Sequence, residues 1–262
     1  MVTLAVMDLD AHLHVFHDRL PLRAERRYAP DYSATPADLL AQLDAEGVRG
    51  AVLVQPSFLA DHDYLLAATA EHPDRLRAVV SPADLDEVRR EWDRWAEAGV
   101  VGVRLNLVGR DLPDLVAPQW RSVADDMAEG GIHLDVHASG DQWSALVPQL
   151  EAWPSNVVID HLGRTADVDP LIELGEREHV WFKASAPYRW PVEAAAERLV
   201  GELIARTGGE RLLWGSDWPF TQHEAEVTYA GMVDAAEARF PQVAALADGN
   251  LQRLLGEREF RQ

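Results

Sequence analysis

The sequence predicts an α/β fold, a distorted (β/α)8 TIM barrel that occupies residues 1–262 as a single domain. Eight short runs rich in branched apolar residues alternate with longer segments of helical composition, which is the pattern of parallel strands joined by crossover helices. The runs are apolar throughout, as expected for strands that are buried on both faces. The chain of 262 residues also has the length of one such barrel, for which about 250 residues is typical.

The predicted strands are the apolar runs at residues 4–12, 50–55, 76–82, 100–107, 131–138, 156–163, 180–187 and 211–219. The clearest helical segments between them are residues 36–47, 84–99, 192–209 and 225–240. The first of these begins with Thr35 as an N-cap before Pro36 and ends at Gly47, a residue suited to a helix C-cap. An open doubly wound sheet is the rival architecture, but it would place a glycine-rich phosphate loop after the first strand, where this chain has histidines.

Polar residues follow most of these strands at their carboxyl ends, where the active sites of such barrels lie. In order along the chain they are His12 and His14, Gln55 and Ser57, Arg104, Asn106 and Arg110, His137, Asp160 and His161, Arg189, and Ser216 and Asp217. We therefore predict one active site at that mouth of the barrel. A further loop at residues 20–34, which contains Tyr28, is long enough to fold over the mouth.

The histidines and the last aspartate have complementary chemical capacities. His12 and His14 are two residues apart, so in a strand both imidazoles project from the same face and can hold a metal ion or polarise a carbonyl group. Of the neighbours Asp160 and His161 only one can face the axis of an alternating strand. We assign that direction to His161 and expect Asp160 to support the site from behind or to pack against a helix. Asp217 is suited to taking a proton from water; its alternative role is to cap the helix that follows.

Arginines at the same mouth indicate an anionic ligand. Arg104 lies inside an apolar run, and a buried arginine needs a carboxylate or a ligand as its partner. Arg110 and Arg189 lie in loops, where a solvated ion pair is the alternative. Three guanidinium groups would suit a substrate with one or two carboxylates, since each can bind a carboxylate through two parallel hydrogen bonds.

Composition excludes several classes of protein. The net charge of −20 argues against binding to nucleic acid or to an anionic membrane surface. No apolar stretch approaches the length of a transmembrane helix, and no signal peptide is evident. The absence of cysteine excludes disulfides and thiolate ligands, and we expect a cytoplasmic protein. The sequence does not indicate the oligomeric state.

These motifs resemble those of the amidohydrolase superfamily of TIM barrels, over nearly the whole chain. The resemblance rests on DAHLHVF, GVRLN, VVIDHLG and WGSDWP. Finer features resemble its lactonase branch, whose members open pyrone dicarboxylates: Tyr28, Ser57 after the second strand, Arg104 and Arg110 six residues apart, and the loop of Arg189. The resemblance implies that His12, His14 and His161 surround the substrate carbonyl, that Asp217 activates water, and that the arginines bind carboxylates.

The metal content is the least determined feature. Members of this superfamily often hold zinc or manganese, whereas the lactonase branch is able to work without a metal. His137 lies where the resemblance implies a tyrosine, so it is either a substrate contact or a ligand that completes a mononuclear site with His12, His14 and Asp217. We expect no obligatory metal, and a single divalent ion is the alternative.

The function predicted is hydrolysis of a carboxylated lactone, such as a pyrone dicarboxylate, a muconolactone or a sugar-acid lactone. The substrate is then the small anionic partner, bound by Arg104, Arg110, Arg189, His137, Tyr28 and Ser57. The first alternative is another reaction in the same barrel, a metal-dependent decarboxylation of an aromatic or unsaturated acid or a lactone isomerisation. The second is a barrel that binds an organic acid without catalysis.

Overall fold

A computed structural model describes residues 7–260. Its eight strands form one parallel sheet in the order β1 to β8, which confirms the predicted barrel. The strands are β1 (Leu9–Leu13), β2 (Gly50–Val54), β3 (Leu76–Val80), β4 (Val100–Asn106), β5 (His133–His137), β6 (Val157–Ile159), β7 (Val180–Ser185) and β8 (Leu212–Gly215). The first predicted run begins at residues 4–6, which lie outside the described residues.

Helices connect the strands and surround the sheet. They are α1 (Pro36–Glu46), α2 (Asp63–Glu71), α3 (Leu85–Glu97), α4 (Pro118–Glu129), α5 (Gln142–Leu150), α6 (Asp169–Leu174), α7 (Glu193–Thr207), α8 (Tyr229–Arg239) and α9 (Pro241–Leu255). Short 3-10 turns occupy Asp160–Arg164, Pro187–Arg189 and Gly256–Arg258. No helix of residues 7–260 is long and apolar enough to cross a bilayer.

The boundary residues of α1 act as predicted. Thr35 accepts a hydrogen bond from the backbone N–H of Asp38, and the Asp38 carboxylate accepts one from the backbone N–H of Thr35. This reciprocal arrangement satisfies two backbone donors at the helix start. Gly47 closes the helix in the left-handed region, at a φ of 73°.

The seam between β8 and β1 closes the barrel with few backbone contacts. Asp217 donates its backbone N–H to His12, and His14 donates its own to Trp218, both at 2.8 Å. Lower in the seam, the buried carboxylate of Asp10 accepts hydrogen bonds from the backbone N–H groups of His12 and Ser216. A side chain thus replaces part of a regular ladder at this seam, a departure from the regular barrel.

The barrel interior changes character from one end to the other. An apolar layer joins strand residues with α9 and the C-terminal segment, and its members include Leu9, Val52, Val79, Val101, Val158, Trp181, Leu213, Leu251 and Phe260. Nearer the carboxyl ends of the strands the buried side chains are polar or charged, among them His12, Arg104, Asp135, His137 and Lys183. Buried polar and charged side chains, rather than apolar ones, therefore lie directly beneath the mouth of the barrel.

Candidate active site

Asp217 lies at the centre of the polar cluster, directly after β8. Its backbone has a φ of 65°, a left-handed conformation that aspartate tolerates better than most residues. Atom Oδ2 accepts hydrogen bonds from the Tyr188 hydroxyl at 2.6 Å and from Arg189 Nε at 2.7 Å. These two donors leave Oδ1 as the oxygen that faces the histidines.

Three imidazoles converge on that oxygen. The Nε2 atoms of His14, His12 and His161 lie 3.2, 3.6 and 3.9 Å from Asp217 Oδ1. Burial opposes ionisation of this carboxyl, but His161 and Arg189 favour the charged form more strongly and hold the pKa of Asp217 well below its usual value. Asp217 is therefore a carboxylate that stays ionised in spite of being only 2% exposed.

The rings of His12, in β1, and of His14, directly after it, lie side by side with centroids 5.0 Å apart, but at different depths. His12 is fully buried, and burial lowers its pKa to about 4, so the ring is neutral. His14 lines the pocket, and its Nδ1 lies 2.7 Å from the Val54 carbonyl oxygen. Because a carbonyl only accepts, Nδ1 carries hydrogen, and Nε2 is the nitrogen that faces Asp217 Oδ1.

The turn after β6 corrects one sequence expectation. β6 ends at Ile159, and His161, Leu162 and Gly163 adopt φ values of 52°, 53° and 77°. This left-handed turn interrupts the alternation of side chains, so Asp160 and His161 both reach the barrel interior. His161 lines the pocket and Asp160 lies behind it, as the prediction had them, but both face inward because the strand ends at Ile159.

Asp160 belongs to a buried cluster of charge beneath the pocket. It accepts a hydrogen bond from Arg104 Nε at 2.7 Å, and its Oδ1 lies 3.2 Å from Lys183 Nζ. Lys183 also donates to Asp135. Burial opposes ionisation of Asp160, but Lys183 and Arg104 outweigh it and hold the pKa of this carboxyl well below its usual value. Two cations and two anions thus compensate one another, and Arg104 has the carboxylate partner that its burial requires.

His137 lies between two arginines. Its Nδ1 is 2.9 Å from Arg104 Nη2, and its Nε2 is 3.2 Å from Arg164 Nη1. Burial and the positive charge of Arg104 hold the pKa of His137 well below its usual value. Both ring nitrogens of His137 lie beside guanidinium groups, so the ring is not placed to bind a metal cation. This geometry does not fit the alternative in which His137 completes a metal site.

The pocket at the mouth is lined with cationic side chains. Its volume is about 570 Å³, including space open to solvent. Asp217 is the one carboxylate among its lining residues, which otherwise include Arg27, Arg104, Arg164 and Arg189. Burial and the neighbouring arginines lower the pKa of Arg27 and of Arg164. An anion placed here would relieve repulsion between these guanidinium groups.

Most of the predicted substrate contacts lie around this pocket. Tyr28 and Ser57 line it, and the Tyr28 hydroxyl lies 2.9 Å from Thr221 Oγ1. The long first loop therefore does lie at the mouth. Arg110 is the exception: it is exposed, donates to the Glu25 carbonyl, and lines an adjoining pocket that shares Ser57 with the first.

A metal ion fits one group of these side chains. His12 Nε2 is a buried nitrogen with no hydrogen-bond partner among residues 7–260. Together with His14 Nε2 and a carboxylate oxygen of Asp217, it forms a group whose ligand atoms all lie within 4.8 Å of one another. Two imidazoles and a carboxylate suit a divalent ion such as zinc, provided that the hydrogen of His12 lies on Nδ1.

Several residues of the site were missed by sequence analysis. Tyr188 and Arg164 contact predicted site residues, and Arg27 lines the pocket, but all three lie in loops without a distinctive pattern. Lys183 and Asp135 could have been found, because each is a charged residue inside an apolar run, as Arg104 is. A buried charge within a strand requires a partner, and these two are partners of each other.

Comparison with known proteins gives a consistent result. The family model described as amidohydrolase matches residues 9–257. A curated 2-pyrone-4,6-dicarboxylate hydrolase from Comamonas testosteroni is 31% identical over 240 residues, which span 80% of this chain and 76% of the relative.

Two solved structures resemble this one closely. A protein described as a putative 2-pyrone-4,6-dicarboxylic acid hydrolase from Pseudomonas putida is 39% identical, with a TM-score of 0.82 and coverage of 96% of this chain and 98% of that one. A probable 2-pyrone-4,6-dicarboxylic acid hydrolase from Acinetobacter baumannii, with citric acid bound, is 31% identical with a TM-score of 0.88, and the match covers 95% and 99% of the two chains.

Proposed function

The chain belongs to the amidohydrolase family, and from that premise we propose that it is a lactonase, a hydrolase that opens the ring of a carboxylated lactone. The observation that carries the proposal is a buried, ionised Asp217, with one oxygen facing three imidazoles, at the edge of a pocket lined by four arginines. A base beside an anion-binding pocket is what hydrolysis of an acidic lactone requires. The relatives named as 2-pyrone-4,6-dicarboxylate hydrolases support a pyrone dicarboxylate or a similar substrate.

Asp217 Oδ1 is the base in this proposal. A water molecule on the pocket side of Oδ1 and His14 Nε2, which are 3.2 Å apart, can donate a hydrogen to Oδ1. Asp217 then takes a proton as the water oxygen attacks the ester carbonyl carbon. The bond from that carbon to the ring oxygen breaks next, and Asp217 returns the proton to the leaving oxygen, which opens the ring and restores the carboxylate. Tyr188 and Arg189 hold Oδ2, so the carboxylate cannot rotate away from the water.

His161 is the residue that we assign to the developing oxyanion. It lines the pocket, and its Nδ1 lies 2.8 Å from the Ser185 hydroxyl oxygen. When Ser185 donates to Nδ1, the hydrogen of the neutral ring lies on Nε2 and can be donated to the carbonyl oxygen. His12 has a different role from the one that the sequence suggests, because it does not line the pocket and acts on Asp217 from below.

The carboxylates of the substrate bind the arginines that lack an anionic partner. Arg104 is paired with Asp160 and Arg189 with Asp217, whereas no carboxylate of residues 7–260 forms an ion pair with Arg27 or Arg164. We therefore assign the principal carboxylate contacts to Arg164 and Arg27. Arg104 and Arg189 contribute their remaining N–H groups, since a guanidinium has five. Tyr28, Ser57 and His137 complete the wall.

We propose that a metal is accommodated but not required. His12, His14 and Asp217 are the residues that would hold a divalent ion, which would supply Lewis-acid polarisation of the carbonyl when bound. Binding would require the hydrogen of His12 to move from Nε2 to Nδ1. The proposed reaction uses only the chain's own base and hydrogen-bond donors. We also place the enzyme in the cytoplasm, on the absence of cysteine from its sequence.

A panel of lactones tests the function. The purified protein, treated with a chelator, is incubated with 2-pyrone-4,6-dicarboxylate, with analogues that lack one or both carboxylates, and with sugar-acid lactones. We expect ring opening of the dicarboxylate, weaker turnover of the monocarboxylate and none of the neutral pyrone. Replacing the base in an Asp217→Asn variant should lower kcat by about 10³-fold or more.

Two results would contradict the proposal. Release of carbon dioxide without ring opening would indicate a decarboxylase instead. Binding of the dicarboxylate with no turnover, unchanged in Asp217→Asn, would indicate a binding protein. Inactivity that is restored by zinc or manganese would leave the lactonase standing but overturn the metal-free proposal.

A further inference from the structure

The buried charge cluster reaches Asp217 through one histidine. Lys183 Nζ lies 3.3 Å from His12 Nδ1 with hydrogen-bond geometry, and the opposite nitrogen of that ring lies 3.6 Å from Asp217 Oδ1. Lys183 and His12 are 1% and 0% exposed, so no bulk water competes for these contacts. The proposed reaction has no step for Lys183, although burial of its ammonium group is costly.

The contact at Nδ1 decides where the hydrogen of His12 lies. An ammonium group has three hydrogens and no lone pair, so it can only donate. Asp160 Oδ1 lies 3.2 Å from the same nitrogen, but it has no hydrogen-bond donor aligned with it in residues 7–260. Lys183 is therefore the hydrogen-bond partner of Nδ1, and Nδ1 supplies the lone pair.

The contact at Nε2 favours the same arrangement. With its lone pair on Nδ1, neutral His12 carries its hydrogen on Nε2, directed toward an ionised carboxylate. The other tautomer would set a lone pair against the Asp217 oxygen. The contacts at both ring nitrogens thus favour one tautomer. The contact at Nδ1 is the stricter of the two, because the Lys183 ammonium group cannot accept a hydrogen bond.

From this geometry we propose that Lys183 is a positioning residue, which holds His12 in the tautomer with its hydrogen on Nε2 and so orients the carboxylate of Asp217. The inference deepens the proposed function, on which its kinetic consequence rests. Tyr188 and Arg189 hold one oxygen of the base from the pocket side, and His12 faces the other from below. Without Lys183, the His12 hydrogen moves to Nδ1, the nitrogen nearest the Asp160 carboxylate.

Nitrogen NMR of histidine-labelled protein that has been treated with a chelator tests the tautomer directly. Nitrogens with and without hydrogen give widely separated ¹⁵N shifts, and the His12 signals are assigned by comparison with a His12→Asn variant. Lys183→Met alone leaves two buried carboxylates for one remaining cation, so the test variant is Lys183→Met combined with Asp135→Asn, which keeps Asp160 paired with Arg104. Asp135→Asn alone, which retains the ammonium group, is the matched control.

We expect hydrogen on Nε2 in the native protein and in Asp135→Asn, and hydrogen on Nδ1 in the double variant. Relative to Asp135→Asn, the double variant should lose kcat by about 10- to 100-fold, the usual effect of removing a group that orients an active-site residue, with KM little changed. Hydrogen on Nδ1 in the native protein, or on Nε2 in the double variant, would overturn the proposal, as would equal kcat values. The native spectrum needs no substrate, so a protein that shows the expected tautomer but opens no lactone contradicts only the proposed function.

Discussion

At the scale of the residue, the site is a set of groups whose ionisation is set by their neighbours. Asp217 is buried yet held in its charged form, and His12 is buried and neutral. Both states favour base catalysis over a wide range of pH. The same proximity that charges Asp217 also fixes which of its oxygens faces the reacting water.

The pH dependence of kcat/KM follows from these two groups. The pKa of Asp217 lies well below its usual value, and a base acts when it is deprotonated, so acid should inhibit only far below neutrality. His12, with a pKa of about 4, becomes charged in the same acidic range. We expect kcat/KM to be constant from about pH 8 to about pH 5 and to fall only below that. A steady-state profile showing an acidic limb near neutrality would be incompatible with this view of the base.

Arg164 offers a second prediction at this scale. It is half-buried at the pocket wall and forms no ion pair with a carboxylate of residues 7–260, so substrate should supply one. In Arg164→Met, loss of a charged hydrogen bond should raise KM by about 10- to 100-fold, with a smaller effect on kcat. Arg90→Met is a suitable control, because Arg90 is exposed on α3, away from the pocket, and forms an ion pair with Glu91. Equal KM values for the two variants would remove Arg164 from the binding site.

At the scale of the element, the turn that follows β6 is decisive. It delivers Asp160 to the buried cluster, His161 to the pocket and Arg164 to its wall within five residues. A regular strand would send alternate side chains away from the axis, whereas successive left-handed residues break that alternation. The turn is packed closely against α6, since a Cβ at Gly163 would lie 2.3 Å from Leu171 Cδ1.

Gly163→Ala tests this packing, and Gly47→Ala is its matched control. Both glycines have left-handed φ values, 77° and 73°, but a Cβ added at Gly47 would meet no neighbouring atom within 4 Å. We expect Gly47→Ala to lower the free energy of unfolding by about 1 kcal/mol, the cost of the left-handed backbone alone. Gly163→Ala should lower the free energy of unfolding by more than this, because its Cβ would also meet Leu171. It should lower kcat as well, because the turn carries His161. Urea denaturation and steady-state kinetics measure the two effects, and equal unfolding energies would disprove the steric argument.

At the scale of the whole molecule, closure of the barrel depends on a buried carboxylate. Asp10 lies in the seam between β1 and β8, and the Tyr229 hydroxyl of α8 donates to it at 2.9 Å. Burial raises the pKa of Asp10 to about 6, despite the hydrogen bonds that it accepts. The seam is therefore more stable with Asp10 protonated than with it charged.

This raised pKa predicts a pH dependence of stability with a definite sign. A folded pKa above the unfolded one adds stability at low pH, and that stability is lost as pH rises through about 6. Between about pH 4 and pH 7 the native protein should lose about 2 to 3 kcal/mol relative to Asp10→Asn, which stays neutral. Urea denaturation of both proteins at the two pH values measures this difference. The lowered pKa values of Asp160 and Asp217 act in the opposite direction but are common to both proteins, so a constant difference would contradict the prediction for Asp10.

The sequence by itself determined the eight-stranded barrel, its order of elements and the set of side chains at its mouth. It could do so because strand and helix patterns are local, and because parallel strands bring their carboxyl ends to one side. His12, His14, His161 and Asp217 were accordingly predicted together, and the structure places them within hydrogen-bonding or near-contact distances of one another.

Only the tertiary structure decided how these side chains are paired. Asp160 neutralises Arg104, whereas Arg164 has no carboxylate partner among residues 7–260, and Lys183 contacts His12. These pairings depend on which strands and loops meet across the barrel. Arg110, six residues beyond Arg104, lies outside the main pocket for the same reason. Composition and spacing identify candidates along one chain, whereas ionisation, tautomer and ligand-binding capacity are set by atoms about 3 Å away that are distant in sequence.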